Sequence, residues 1–151
     1  NEPKIFTLSH LPKGVYNFAS AKDRIVVWGR SNNKSKIWTY TSQGFKCIMT
    51  TDIIITDVEI STKNEVLFSM DSVIVRLSDL KTLANLKSKV LGFASYKNNS
   101  IIASTAIGIY AQADSTFSLV AIGLKGSLEV FYSNIYVVSN SREKLWEIVI
   151  N

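Results

Sequence analysis

The chain of 151 residues has one cysteine, one histidine and two prolines, and its seven glycines are scattered singly. Each scarcity closes a class of function. Cys47 has no partner for an internal disulfide, and a lone thiol suits a reducing compartment, cytoplasmic or nuclear. With His10 as the sole imidazole there is no Cys/His cluster at zinc spacing, so neither a metal nor a cofactor is expected. Nucleophilic catalysis needs a base beside a serine or cysteine. His10 alone could supply it, and its place just before Leu11-Pro12 reads as an ordinary strand end. Scattered glycines exclude a phosphate-cradling loop. The most apolar stretches, Ile53-Ile54-Ile55 and Leu119-Val120-Ala121-Ile122, fall far short of the roughly 18 residues of a membrane-spanning helix. No secretory signal opens the chain, which begins at Asn1 as a processed product or excised domain would.

What remains is strand-forming. Hydrophobic residues make up 46% of the chain and charged residues 19%, a globular balance. Isoleucine, valine and threonine are abundant, and their branched side chains pack well on a pleated surface. The length is that of one ordinary domain.

The strongest internal signal is a repeat. Phe18-Ala19-Ser20-Ala21-Lys22-Asp23 returns as Phe93-Ala94-Ser95-Tyr96-Lys97-Asn98, and weaker copies begin at Val58 and Leu128. The four anchors are spaced 40, 35 and 35 residues apart, a period that marks supersecondary units stacked to bury a common core. Strand and turn signals then fall into four beats per repeat. The first repeat reads as strands over Tyr16–Ser20, Ile25–Trp28, Ile37–Tyr40 and Phe45–Thr50. In the second, the fourth beat is placed over Leu83–Lys87, where a short helix from Asp79 would also fit. The fourth repeat has three strands before the chain ends, and Lys4–Ser9 is free to complete it.

The segments Asn134-Ile135-Tyr136-Val137-Val138-Ser139-Asn140 and Lys144-Leu145-Trp146-Glu147-Ile148 resemble a YVTN-type or WD-like β-propeller blade. The stretch from Arg24 to Tyr40 is similar. The resemblance covers all four repeats in pattern and short segments in letters. The expected fold is therefore all-β: a small four-bladed β-propeller over residues 1–151, with blades near 15–51, 55–89, 91–123 and 126–151. Strand 4–10 closes the last blade and protects its edge. The runner-up is a half-propeller completed by dimerisation, or another barrel or sandwich.

Three chemistries are weighed on this frame. Trp28, Trp38 and Trp146 fall in second or third strands and read as packing rather than as stacking platforms. Cys47, among apolar neighbours, reads as a small buried hydrophobe. Asp52 and Asp57 flank the passage from the first repeat to the second and form the one candidate carboxylate pair for a glycosidase or glycan-binding site. Turn polarity is the plainer reading of both.

Charge is more telling. The net charge is +5, and sorting the loops by repeat position gathers the excess on one face. Arg30, Lys34, Lys36, Lys89, Arg142 and Lys144 are the candidate binding residues. The expected function is a non-catalytic interaction or scaffold module whose basic face binds an acidic protein, as a subunit of a larger assembly. Sequence-nonspecific nucleic-acid binding on the same face is the first alternative. A glycan module using Trp28 or Trp38 with Asp52 and Asp57 is the second.

Overall fold

The computed structural model describes residues 11, 14, 16–21, 23–131, 134–139 and 144–149. Among these residues fifteen strands follow one another in chain order, in two compact units, Asn1–Ile54 and Ile55–Asn151.

The first unit is one antiparallel meander: β1 (Tyr16–Ala21), β2 (Arg24–Ser31), β3 (Lys34–Thr41) and β4 (Gly44–Thr51). The β2–β3 hairpin shows how local chemistry sets it. Ser31 pairs with Lys34, so the loop is Asn32-Asn33, and both asparagines have positive φ (51° and 60°). A two-residue loop matches the right-handed strand twist only in such a conformation, and asparagine tolerates it better than other side chains.

The second unit holds three sheets. They are β5 (Asp57–Ile60) to β8 (Thr82–Asn85) through β6 (Val66–Met70) and β7 (Val73–Arg76); β9 (Val90–Tyr96) to β12 (Thr116–Ile122) through β10 (Ser100–Thr105) and β11 (Gly108–Ala113); and β13 (Gly126–Phe131), β14 (Asn134–Ser139) and β15 (Leu145–Ile148). Within each sheet, sequential strands pair antiparallel. The sheets stack face to face. Leu67, Ile74 and Ala84 of β5–β8 pack with Phe93, Ala103 and Tyr110 of β9–β12. The other face of β9–β12, carrying Ala94, Ile102 and Ile109, packs with Leu128, Ile135 and Val137 of β13–β15. Alternation of side chains along each strand makes this double use of the middle sheet available. The result is a layered, sandwich-like β fold.

All-β architecture is as expected; the four-bladed propeller is not. Among the described residues the chain forms four separate sheets, none of them closed or curled. The last sheet has three strands among the described residues, and the segment expected to close it, 4–10, lies outside them. The propeller and WD-like labels fall with the fold. The physical reason is that a 35–40-residue period reports only a four-stranded meander of standard strand and turn lengths. Successive meanders satisfy it equally well when they stack as layers. The four anchors do fall in the first strands β1, β5, β9 and β13.

Smaller differences are also informative. The stretch after Asp79 is the expected strand, with its bounds moved to Thr82–Asn85 as β8. Arg76 grips the Asp79 carboxylate with two hydrogen bonds, Nε to Oδ1 at 3.0 Å and Nη2 to Oδ2 at 2.7 Å, and reaches Glu65 at 3.0 Å. That clamp holds the β7–β8 turn, where Leu80 has a φ of 55°. Cys47 is exposed, not buried: it lies on β4, the outermost strand of its sheet, and its Sγ donates to the Met49 carbonyl at 3.3 Å.

Candidate interaction surface

The β2–β3 hairpin brings together Arg30, Lys34 and Lys36. Arg30 and Lys34 are exposed and Lys36 is half-buried. Strand alternation sends Arg30, opposite Ser35, to one side of the sheet. Lys36, opposite Gly29, and Lys34, opposite Ser31, go to the other. The tip is therefore basic on both sides. Arg30 Nη2 donates to the Asn33 carbonyl at 2.8 Å, so the guanidinium braces the turn that precedes Lys34. Lys34 Nζ meets Asp52 Oδ1 at 3.6 Å in a solvent-exposed pair, an interaction worth about 0–1 kcal/mol. Such a pair yields readily to a better-placed acidic group.

The remaining nominated residues belong to other segments of the chain. Lys89 and Lys144 are exposed but belong to the second unit, in the connections before β9 and β15. Lys144 N donates to Ser139 Oγ at 3.1 Å. Arg142 lies outside the described residues.

The side of the first sheet that carries Lys34 and Lys36 also carries aromatic and aliphatic side chains. Tyr16 meets Trp38 edge-to-face at a centroid distance of 5.3 Å, and Tyr40 meets Phe45 at 5.2 Å. Tyr16, Phe18, Ile25, Val27 and Phe45 line a groove of about 320 Å³. Phe18 is 74% exposed, whereas Trp28 and Trp38 are buried. The tryptophans therefore offer no stacking platform for a sugar or a base.

The two carboxylates of the expected pair fall in different units. Asp52 is an exposed residue of the first unit and Asp57 a half-buried residue of the second. Asp57 instead shares a sheet face with Glu59, two residues on, and both couple electrostatically to Glu129 of β13. Asp57 Oδ1 accepts the Val58 amide at 2.9 Å and Oδ2 the Phe93 amide at 2.9 Å. Desolvation raises the Asp57 carboxyl to about 6 despite these two donors, and Glu129 adds to the rise. Desolvation, then Asp57 and Glu129, raise Glu59 to about 8. Asp57 and Glu59 therefore keep their protons to higher pH than ordinary carboxyls do. Among the described residues no group of three His, Cys, Asp or Glu is placed to hold a metal ion. Asp57-x-Glu59 was readable as two carboxylates on one strand face. Glu129, seventy residues further on, had no local signal.

No family model matches the chain, and no curated protein does. Among solved structures it is similar to the extracellular domain of the putative one component system BT4673 from B. thetaiotaomicron. The identity is 14% and the TM-score 0.68, over 97% of this chain and 23% of that one. The chain thus spans about a quarter of the length of that structure, and the likeness is one of fold. No helix among the described residues is long and apolar enough to cross a membrane.

Proposed function

We propose that the chain is a non-catalytic interaction module that docks an acidic protein surface on the β2–β3 hairpin of its first sheet. The observation that supports this is the hairpin tip itself. Three cations lie within seven residues on a two-residue turn, with Arg30 braced against Asn33 and Asp52 the exposed acid paired there. A rigid basic tip loses little conformational freedom when an acidic partner binds, and its field raises the rate of encounter.

The test is fluorescence anisotropy of a labelled oligoglutamate peptide at low and moderate salt. It compares the native chain with the triple variant Arg30→Glu/Lys34→Glu/Lys36→Glu. Binding that weakens with salt and drops about tenfold or more in the variant supports the reading. No binding at low salt, or binding that the variant leaves intact, overturns it. A labelled oligonucleotide in parallel separates the alternative: tighter binding there, with a steep salt slope, makes a phosphate backbone the partner.

A further inference from the structure

Three repeat anchors are buried and one is not. Val58, Phe93 and Leu128 are all below one-tenth exposed, while Phe18, at the same repeat position, is 74% exposed. In the second unit, Phe93 packs toward the sheet that precedes it in sequence, and Leu128 does the same. Phe18 belongs to the first described sheet, and among the described residues no earlier sheet exists to cover it. Its groove is the kind of apolar depression that such a sheet would fill.

The last sheet of the second unit also keeps an open face. The face of β13–β15 turned away from β9–β12 carries Val138 and Leu145 in one cross-strand row, and Glu129, Tyr136 and Glu147 in the next. Leu145 is 64% exposed and both glutamates are exposed. The two open faces match in chemistry. One offers Phe18, Tyr40 and Phe45 with Lys34 and Lys36 beside them. The other offers Leu145 and Val138 with Glu129 and Glu147 beside them. Apolar area meets apolar area, and two cations meet two anions.

We infer that the chain self-associates head to tail, the aromatic face of β1–β4 seating the outer face of β13–β15 of a second copy. This rests on the proposed reading of the hairpin as a contact surface for acidic groups, and it names the acidic surface. Such an interface is heterologous: each copy keeps one unused face, so growth continues until the assembly closes or is capped.

The test uses mass measurement by light scattering after size exclusion, over a range of concentrations, on the native chain and on Phe18→Asp and Leu145→Asp. Both positions are exposed, so both variants should melt close to the native temperature. The expected result is a native mass that rises with concentration above the 16.8 kDa monomer, and either variant alone staying monomeric. An equimolar mixture of the two variants should form a dimer and stop there, because each lends the face the other has lost. A native chain monomeric at every concentration overturns the inference. So does association that survives in both variants, or a mixture that fails to pair while the native chain associates. If the native chain stays monomeric yet still binds oligoglutamate, the self-association fails and the hairpin reading stands. Loss of both removes both.

Discussion

The Asp57 carboxylate accepts the Phe93 amide at 2.9 Å, tying the first strand of one sheet to the first strand of the next. Phe93 is itself 1% exposed and sits in the apolar layer between those two sheets. One residue pair therefore joins the polar and the apolar parts of the junction.

That junction should respond to pH. Asp57 and Glu59 hold their protons more tightly in the fold than in the unfolded chain, with carboxyls raised to about 6 and about 8. The folded state then carries the excess protons, so stability falls as pH rises from the ordinary carboxylate range through about 6 and on to about 8. Thermal melts should be highest near pH 5 and decline toward pH 8.5. Glu59→Gln should flatten the upper part of that decline and stabilise the protein at pH 8 by on the order of 1–3 kcal/mol. An unchanged slope in the variant would show that Glu59 does not carry the effect.

The two phenylalanine anchors should behave oppositely. Phe93→Ala opens a cavity between two sheets and should cost about 3–5 kcal/mol in urea unfolding. Phe18→Ala, at an exposed position, should stay within about 0.5 kcal/mol at dilute concentration. Equal costs would mean that Phe18 is covered in the isolated chain.

Much of this was legible beforehand. Strands over Tyr16–Ser20 and Ile25–Trp28 were readable from alternation and turn residues, and they appear as β1 and β2 with slightly longer bounds. The burial of Trp28 and Trp38 was likewise expected from their strand positions. The ring was not there to be read. Period reports what each meander is, whereas closure depends on contacts between residues far apart in sequence. Cys47 went astray for a related reason: alternation tells which residues share a face, and nothing local tells whether that face is covered. The hairpin cations could be nominated from composition. That Lys89 and Lys144 belong to a different unit depends on how the chain divides.

A turn carries strain that can be relieved. Leu80 has a φ of 55° and is 63% exposed, so its side chain gains little from burial while its backbone occupies a region that costs a non-glycine residue roughly 1–2 kcal/mol. Leu80→Gly should raise stability by about 0.5–1 kcal/mol, as judged by the urea midpoint at constant slope. A loss of stability would mean that the Leu80 side chain makes a contact of consequence.

Gly108 should tolerate nothing larger. It opens β11 with a φ of 153°, and a Cβ there would collide with the Ala121 carbonyl oxygen of the paired strand. Thr105 Oγ1 also donates to the Gly108 carbonyl at 2.8 Å, fixing the turn from the other side. Gly108→Ala should destabilise by about 2 kcal/mol or more, and a near-neutral result would show that β11 and β12 can shift apart locally.

The middle sheet of the second unit, covered on both faces, has a kinetic meaning as well. Five consecutive residues of β10, from Ile101 to Thr105, are buried, and the strand is flanked by β9 and β11 within its own sheet. No fraying end or open edge exposes their amides to solvent. Exchange of those hydrogens for deuterium must wait for the whole unit to open, so β10 should set the slowest clock in the molecule.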